Sequence, residues 1–380
     1  MLMNSHSQRF FSSFFSGKGG RHSNADRTIA IFGATGFLGR YVVNALGRSG
    51  WTIHIACRGD DMEWRHLKPL VDYGKLVPHY YSAKDEASIE GCIPKGQVDV
   101  VLNLIGKRYE TRHILPWIIN NTYEDTHIKA TSAIAKVARR NGVKHFVQMS
   151  CAKAALDSTS VWAKTKAVGE LEAAKQFPGA TIVRAGQVYG PEDTFLNPIA
   201  QMVIKDNIFR LIDEGKAKVS PVYVVNVAEA LVPILYNHED FAGETVHLLG
   251  KDEYTMKQIV EFVDQTVGNP DKRMYVTYDK SSPLVQAFAA VSSYLPNPLF
   301  SKDQIEQVCL NDLPKKPNEL GWESVGIVPE IFSEKSYNVI FRYKKGGHFR
   351  ELRIVENTQE GPIHVSHQVG GEIPIANHKN

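Results

Sequence analysis

The residues of this 380-residue chain best suited to chemistry begin with Gly33-Ala34-Thr35-Gly36-Phe37-Leu38-Gly39. The apolar run Ile29-Ala30-Ile31-Phe32 leads into it, and Val42, Val43 and Leu46 follow at helical spacing. Glycines in this setting suit a phosphate group. Gly33 lets the chain turn sharply out of a strand, and Gly36 lets backbone approach a pyrophosphate at a helix N-terminus. Gly39 lets the helix lie close against the sheet. Three such glycines also occur in purely structural turns; the flanking strand and helix favour the nucleotide. The second candidate is Arg58, ahead of Gly59-Asp60-Asp61. In a dinucleotide fold the end of the second strand faces the adenosine ribose, where an arginine accepts the extra phosphate of NADP and an acid selects NAD. Arg58 comes first and points to NADP. The alternative leaves it in a solvent loop, with Asp60 or Asp61 reading the ribose.

The elements that must position these residues follow from the apolar pattern. Strands are expected at 51–57, 76–81, 98–106, 146–150 and 181–184, with helices at 85–92, 124–142 and 160–175 between them. Strand–helix alternation through residue 190 predicts an α/β Rossmann-type, doubly wound parallel sheet. Residues 222–224 are expected to return to that sheet, followed by a further helix. The expected division is a 1–26 leader, a 27–190 nucleotide-binding domain, and a 191–355 mixed α/β part that completes the sheet and faces partners. A polar 356–380 tail, expected to be disordered, ends the chain. Within the third part, Leu284, Phe288, Val291 and Leu295 give residues 283–298 an amphipathic face.

Composition excludes several classes. A net charge of +3 gives no dominant basic face for nucleic acid, and 43% hydrophobic with 22% charged residues is ordinary for a globular protein. Cys57, Cys92, Cys151 and Cys309 form no C-x-x-C pair and read as reduced thiols with no metal. No stretch is long and apolar enough for a transmembrane span. Residues 1–25 contain Arg9, Lys18 and Arg21, many serines, no acid, and an apolar set of Phe10, Phe11, Phe14 and Phe15. Such a leader reads as a mitochondrial presequence, the alternative being a disordered tail.

The G-x-x-G-x-x-G turn resembles the short-chain dehydrogenase/reductase superfamily in its extended and atypical branches. Active members use a strand-end serine and a Y-x-x-x-K pair, whose spacing puts tyrosine and lysine on one helix face. The lysine holds the nicotinamide ribose and lowers the tyrosine pKa, and the tyrosine moves the proton. Here Ser150 ends its strand and Lys166 is in place, but the tyrosine position is Trp162. An indole N–H donates a hydrogen bond and cannot take that acid/base role. Tyr109, Tyr123 and Tyr189 stay open as substitutes in another geometry.

Within the superfamily, one ordered set of motifs is more specific. Gly33 through Tyr41, Asn103-Leu104-Ile105-Gly106 and Tyr109-Glu110-Thr111-Arg112 belong to it, as do Lys166-Ala167-Val168-Gly169-Glu170 and Glu192-Asp193 ahead of Phe195-Leu196-Asn197. Pro221-Val222-Tyr223-Val224-Val225 completes the set. Together they resemble the nucleotide-binding accessory subunits of mitochondrial respiratory complex I, over residues 27–345. The resemblance implies tightly held NADPH on Gly33, Thr35, Gly36, Phe37, Leu38 and Gly39, with Arg58, Leu104, Ile105, Gly106, Ser150 and Lys166 completing the site. It also implies a non-catalytic role among other complex I subunits, on the matrix side of the inner membrane near the junction of the two arms, with peripheral membrane contact open. Trp162 and the long C-terminal extension depart from that pattern. An active NADP-dependent reductase or epimerase, and an NADP-sensing regulatory protein, are the alternatives.

Overall fold

The computed structural model describes residues 27–112, 119–205, 208–267, 274–293 and 301–344. The expected presequence and the 356–380 tail lie outside the described residues. A seven-stranded parallel sheet forms the centre. Its strands, in chain order, are β1 (Thr28–Phe32), β2 (Thr52–Cys57), β3 (Leu76–Tyr80), β4 (Val100–Asn103), β5 (His145–Cys151), β6 (Thr181–Ala185) and β7 (Thr245–Leu248). They lie side by side as β7-β6-β5-β4-β1-β2-β3. Strand order reverses between β1 and β4, and in such sheets the crevice beyond the strand C-termini at that point is where ligands bind.

Alternation along each strand builds two cores. Ile29 and Ile31 face one side with Val100, Leu102, Ile53 and Ile55. Ala30 and Phe32 face the other with Val101 and Phe146. Because successive side chains point to opposite faces, a strand buried on both sides must be apolar throughout, as β1 is. Helix α1 (Phe37–Arg48) covers the first side and packs on the helix that precedes β7. The second side is closed by α2 (Glu86–Cys92), α3 (Ala130–Arg140) and α4 (Val161–Gln176).

Beyond β6 come α5 (Leu196–Lys205), α6 (Val224–Tyr236), α7 (Met256–Val267), α8 (Pro283–Ser292), α9 (Lys302–Cys309) and α10 (Phe332–Ile340). Helix α6 is the partner of α1, and its burial explains the nearly unbroken apolar run there. A third core joins Tyr189, Phe195, Phe209, Phe262 and Phe332 from α5, α7, α10 and the connecting segments. On α8, Leu284, Phe288 and Val291 are exposed; Leu295 of the expected amphipathic face lies outside the described residues. No helix among the described residues is long and apolar enough to cross a membrane, and no three or more of their His, Cys, Asp or Glu side chains cluster in a way that could hold a metal ion.

Two expectations need correction. Val222–Tyr223 does not return to the main sheet; it pairs in parallel with Val188–Tyr189 as a separate two-stranded ladder. The seventh strand is β7, beside β6. His247 interrupts the apolar run of β7, which weakens its signal in the sequence. The outer edge of β7 is in turn covered by Leu320, which exchanges backbone hydrogen bonds with Thr245 and His247. The 124–142 helix is also not uniform: Asp125–Lys129 is a π-turn ahead of α3.

Candidate functional site

The glycine turn sits at the switch point. Gly33 has φ +87°, a left-handed conformation strained for any other residue, and a Cβ there would come within 3.2 Å of the Leu104 carbonyl carbon. At Gly39 a Cβ would overlap the carbonyl oxygens of Gly33 and Ala34. The close approach made there is therefore between α1 and the turn itself. Gly36 is the N-cap of α1 and its N–H donates to the Gly33 carbonyl at 3.1 Å. No side chain caps α1 and its first turn holds no acid, which leaves its N–H groups and the positive end of its dipole open to an anion.

Arg58 stands exposed at the end of β2. Its positive charge, after burial, helps hold the Lys107 ammonium below the ordinary lysine pKa. These two cations are therefore close enough to act on one another. The nearby acids include Glu63, whose carboxylate folds over Gly59.

At the other end the structure brings Gly106, Ser150, Trp162 and Lys166 together. A Cβ on Gly106 would lie 3.1 Å from Lys166 Nζ. Lys166 forms no ion pair among the described residues, and burial depresses its pKa while Cys151 and Glu170 oppose that shift. Buried Asn103 shapes the turn that carries Leu104, Ile105 and Gly106. It donates to Gln148 Oε1 at 2.8 Å and Thr131 Oγ1 at 3.2 Å, and accepts from the Ile105 N–H at 3.0 Å.

Two groups at this end are committed elsewhere. The Trp162 indole donates to the Lys107 carbonyl at 2.7 Å. Ser150 donates its hydroxyl proton to the buried Glu170 carboxylate. Glu170 also accepts from Arg184, at 2.6 Å from Nη2 and 3.2 Å from Nε. With its proton engaged this way, Ser150 offers only its lone pairs to a ligand. Two of the three candidate substitute tyrosines are in unfavourable surroundings for the task. Burial pushes the Tyr123 phenol well above its ordinary pKa, and it donates to the Arg108 carbonyl at 3.0 Å. Tyr189 is fully buried, also shifted up, and its hydroxyl has no partner among the described residues. Both shifts run opposite to what proton transfer near neutral pH requires. Tyr109 is half-buried.

Sequence reasoning missed His127. The π-turn swings its ring between the Lys107 N–H, which donates to Nε2 at 3.2 Å, and Thr165 of α4, 3.0 Å from Nδ1. Burial, with the charges of Lys166 and Lys107, drives its pKa down to about 2. π-Turns inside helices recur at functional sites, but nothing in the local sequence marks this one. Glu170 offered a faint signal, being one helical turn from Lys166.

Residues 29–248 match the NAD dependent epimerase/dehydratase family. "NADH dehydrogenase (ubiquinone) 1 alpha subcomplex subunit 9, mitochondrial" of Arabidopsis thaliana is 33% identical, over 87% of this chain and 81% of that protein. "NADH-ubiquinone oxidoreductase 40 kDa subunit, mitochondrial" of Neurospora crassa is 34% identical, over 87% of this chain and 84% of that protein. Among solved structures, MoeE5 in complex with UDP-glucose and NAD superposes with a TM-score of 0.60 at 14% identity, covering 83% of this chain and 98% of that one. That similarity concerns the fold alone. On the strength of the glycine turn, the sheet order and these identities, the chain belongs to the NAD dependent epimerase/dehydratase family and, within it, to the branch of mitochondrial complex I subunits named alpha subcomplex subunit 9.

Proposed function

We propose that this chain is a non-catalytic accessory subunit of respiratory complex I that binds NADPH tightly and uses it to stabilise its own fold and the assembly around it. The observation that carries this is the unequal state of the site: an intact phosphate cradle beside a chemical end whose proton-moving groups are missing or engaged. The nucleotide fits the residues present. Gly33 and Gly39 let the turn and α1 close tightly on one another, and Gly36 at the N-cap, with Thr35 before it and Phe37 and Leu38 after it, presents backbone to a pyrophosphate. Arg58 would hold the 2′-phosphate, Leu104, Ile105 and Gly106 would line the floor, and Ser150 and Lys166 would receive the nicotinamide ribose. A bound NADPH would bring a transferable hydride; the chain supplies no matched proton donor. A ligand that binds only the folded state adds RT ln(1 + [L]/Kd), about 2.7 kcal/mol at a hundredfold excess over Kd.

The relatives' names place those proteins in mitochondria, and the basic, acid-free leader supports the same for this chain. We assign it to the matrix side of the inner membrane, near the junction of the peripheral and membrane arms. Residues 27–190 would hold the nucleotide, and 191–355 would complete the sheet and meet neighbouring subunits. An active reductase or epimerase has one observation in its favour, the retained Lys166 beside Gly106.

Native-gel separation of mitochondrial membranes tests the proposal. The wild-type chain is expected in the complex I band and to release NADP(H) on denaturation. Gly36→Val, which obstructs the pyrophosphate approach, is expected to lower the thermal midpoint and the amount of assembled complex. Normal assembly after proven nucleotide loss would reject the structural role of NADPH. Steady NADPH turnover with carbonyl substrates, abolished by Lys166→Ala, would favour the enzyme instead.

A further inference from the structure

Helix α4 carries both Trp162 and Lys166, and two acids from the C-terminal stretch bear on it, one directly at its N-terminus and one through Arg184. At its N-terminus stands Asp303 of α9. Its Oδ1 accepts from Ser160 Oγ at 2.9 Å and from the Val161 N–H at 2.7 Å, and its Oδ2 from the Trp162 N–H at 3.2 Å. The first N–H groups of a helix have no partner within it. The local cap is weak, since Ser160 Oγ accepts from the Ala163 N–H only at 3.5 Å, and the first turn of α4 has no acid of its own. A carboxylate 143 residues away from Ser160 supplies both the acceptors and the charge. Asp303 is itself held, because Ser301 and Gln304 form a capping box on α9 and Gln307 donates to Asp303 Oδ2 at 2.8 Å.

The second acid works farther along α4, at Glu170. Ser150, Arg184 and His247 are register partners on β5, β6 and β7, so they form a row across one face of the sheet. Glu170 bridges the first two. Glu319 meets Arg184 Nη1 at 3.4 Å and lies 2.9 Å from His247 Nε2. It belongs to the same segment whose Leu320 pairs with the edge of β7. Charge thus alternates from Glu170 through Arg184 to Glu319, in a row with little access to water.

We propose that Asp303 and Glu319 are positioning residues of the nucleotide site: Asp303 fixes the N-terminus of α4 and Glu319, through Arg184, steadies Glu170 in its middle, and so they place Trp162 and Lys166 against the nicotinamide end. Nothing in this requires either acid to touch the nucleotide. It rests on the reading that the chain binds NADPH, and it makes binding and the docking of α9 two sides of one equilibrium. By linkage, the factor by which docking of α9 raises NADPH affinity equals the factor by which NADPH tightens the seat of α9, and Asp303→Ala loses up to that factor.

The test uses the full chain and NADPH, with Kd measured by titration and docking by hydrogen exchange across residues 302–309. Wild type is measured first; a wild type that binds no NADPH defeats the cofactor reading and leaves nothing to position. Given binding, Asp303→Ala is expected to weaken NADPH about tenfold, the scale of a lost helix cap. In a Lys166→Ala background the same change is expected to shift Kd less than about twofold, because its effect runs through Lys166. NADPH is expected to slow exchange at 302–309 in wild type and not in Asp303→Ala. Should Asp303→Ala fail to fold, Asp303→Asn keeps the shape without the charge, and Glu319→Gln reads the contact relayed through Arg184. A folded variant at either position that binds NADPH as wild type does, or an Asp303→Ala loss undiminished by Lys166→Ala, overturns the proposal. A lower thermal midpoint at unchanged Kd counts against it as well, since that is what a purely structural contact would produce.

Discussion

The two ends of the candidate nucleotide site are built in opposite ways. The phosphate end comes from one short stretch, β1 through the first turn of α1, and its features are backbone features: a positive φ at Gly33, a missing Cβ at Gly39, an uncapped helix N-terminus. The nicotinamide end is assembled from four separate segments around Gly106, His127, Ser150 and α4, and depends on side chains that engage one another. Holding a nucleotide needs the first end. Turning one over needs free, correctly protonated groups at the second, where Trp162 and Ser150 are already bonded within the protein. Binding and catalysis are therefore separable in this fold, and a chain can keep one while the other is lost.

Breaking the second end should have the largest effect. Arg184→Met leaves Glu170 buried without its partner, and losing one member of a buried ion pair costs about 3–5 kcal/mol. Chemical unfolding should show that loss, while residual NADPH binding through the glycine turn persists in whatever fraction stays folded. Complete loss of binding in folded protein would show that the ends are not separable.

A smaller effect is expected at the phosphate end. Arg58→Ala removes a charge-assisted contact worth roughly 1.5–3 kcal/mol, so NADPH retention should fall more than tenfold with the unfolding midpoint of the nucleotide-free chain unchanged. Equal retention of NADPH by the variant, or release of NAD(H) alone from wild type, would reject NADP selection by Arg58.

Acid should separate the ends next. His127 is neutral in the folded chain, with its pKa lowered from 6.5 to about 2. Above 6.5 neither state carries its proton; below it the unfolded chain binds a proton that the folded chain refuses. Its stabilising contribution is thus complete above pH 6.5 and declines as pH falls toward 2, with a limiting slope of about 1.4 kcal/mol per pH unit. His127→Gln should flatten the decline in urea-unfolding stability between pH 6.5 and 5, and an unchanged slope would show that His127 does not contribute to it.

The smallest change expected is from Trp162→Phe, which removes the indole donor to the Lys107 carbonyl at a cost of about 0.5–1.5 kcal/mol. Trp162→Tyr sharpens the contrast further. It restores a phenol, yet no NADPH turnover is expected while the Ser150 hydroxyl stays hydrogen-bonded to Glu170. Turnover by that variant would show that the tryptophan alone had silenced the site.

What could be read from the chain without its structure was the part made by neighbours in sequence. The alternation of Ile29, Ala30, Ile31 and Phe32, the glycine spacing after them and the helical period of Val42, Val43 and Leu46 act over a few residues. They specified β1, the turn and α1 together with the sheet class. The one-face spacing of Trp162 and Lys166 was legible for the same reason. Tertiary structure alone decided which segment became the seventh strand. It depended on β7 finding β6 on one side and Leu320 on the other, and His247 obscured the local signal. It alone decided that 124–142 would begin with a π-turn, because His127 must reach Lys107 and Thr165 while Gly169 lets α4 come up against the His127 carbonyl. It also decided the engagement of Ser150 with Glu170, the cap that Asp303 provides and the pairing of Glu319 with Arg184. Those contacts join residues far apart in the chain, and their worth lies in burial and in the exclusion of water from paired charges. No residue's identity announces this until the fold has brought its partner within reach.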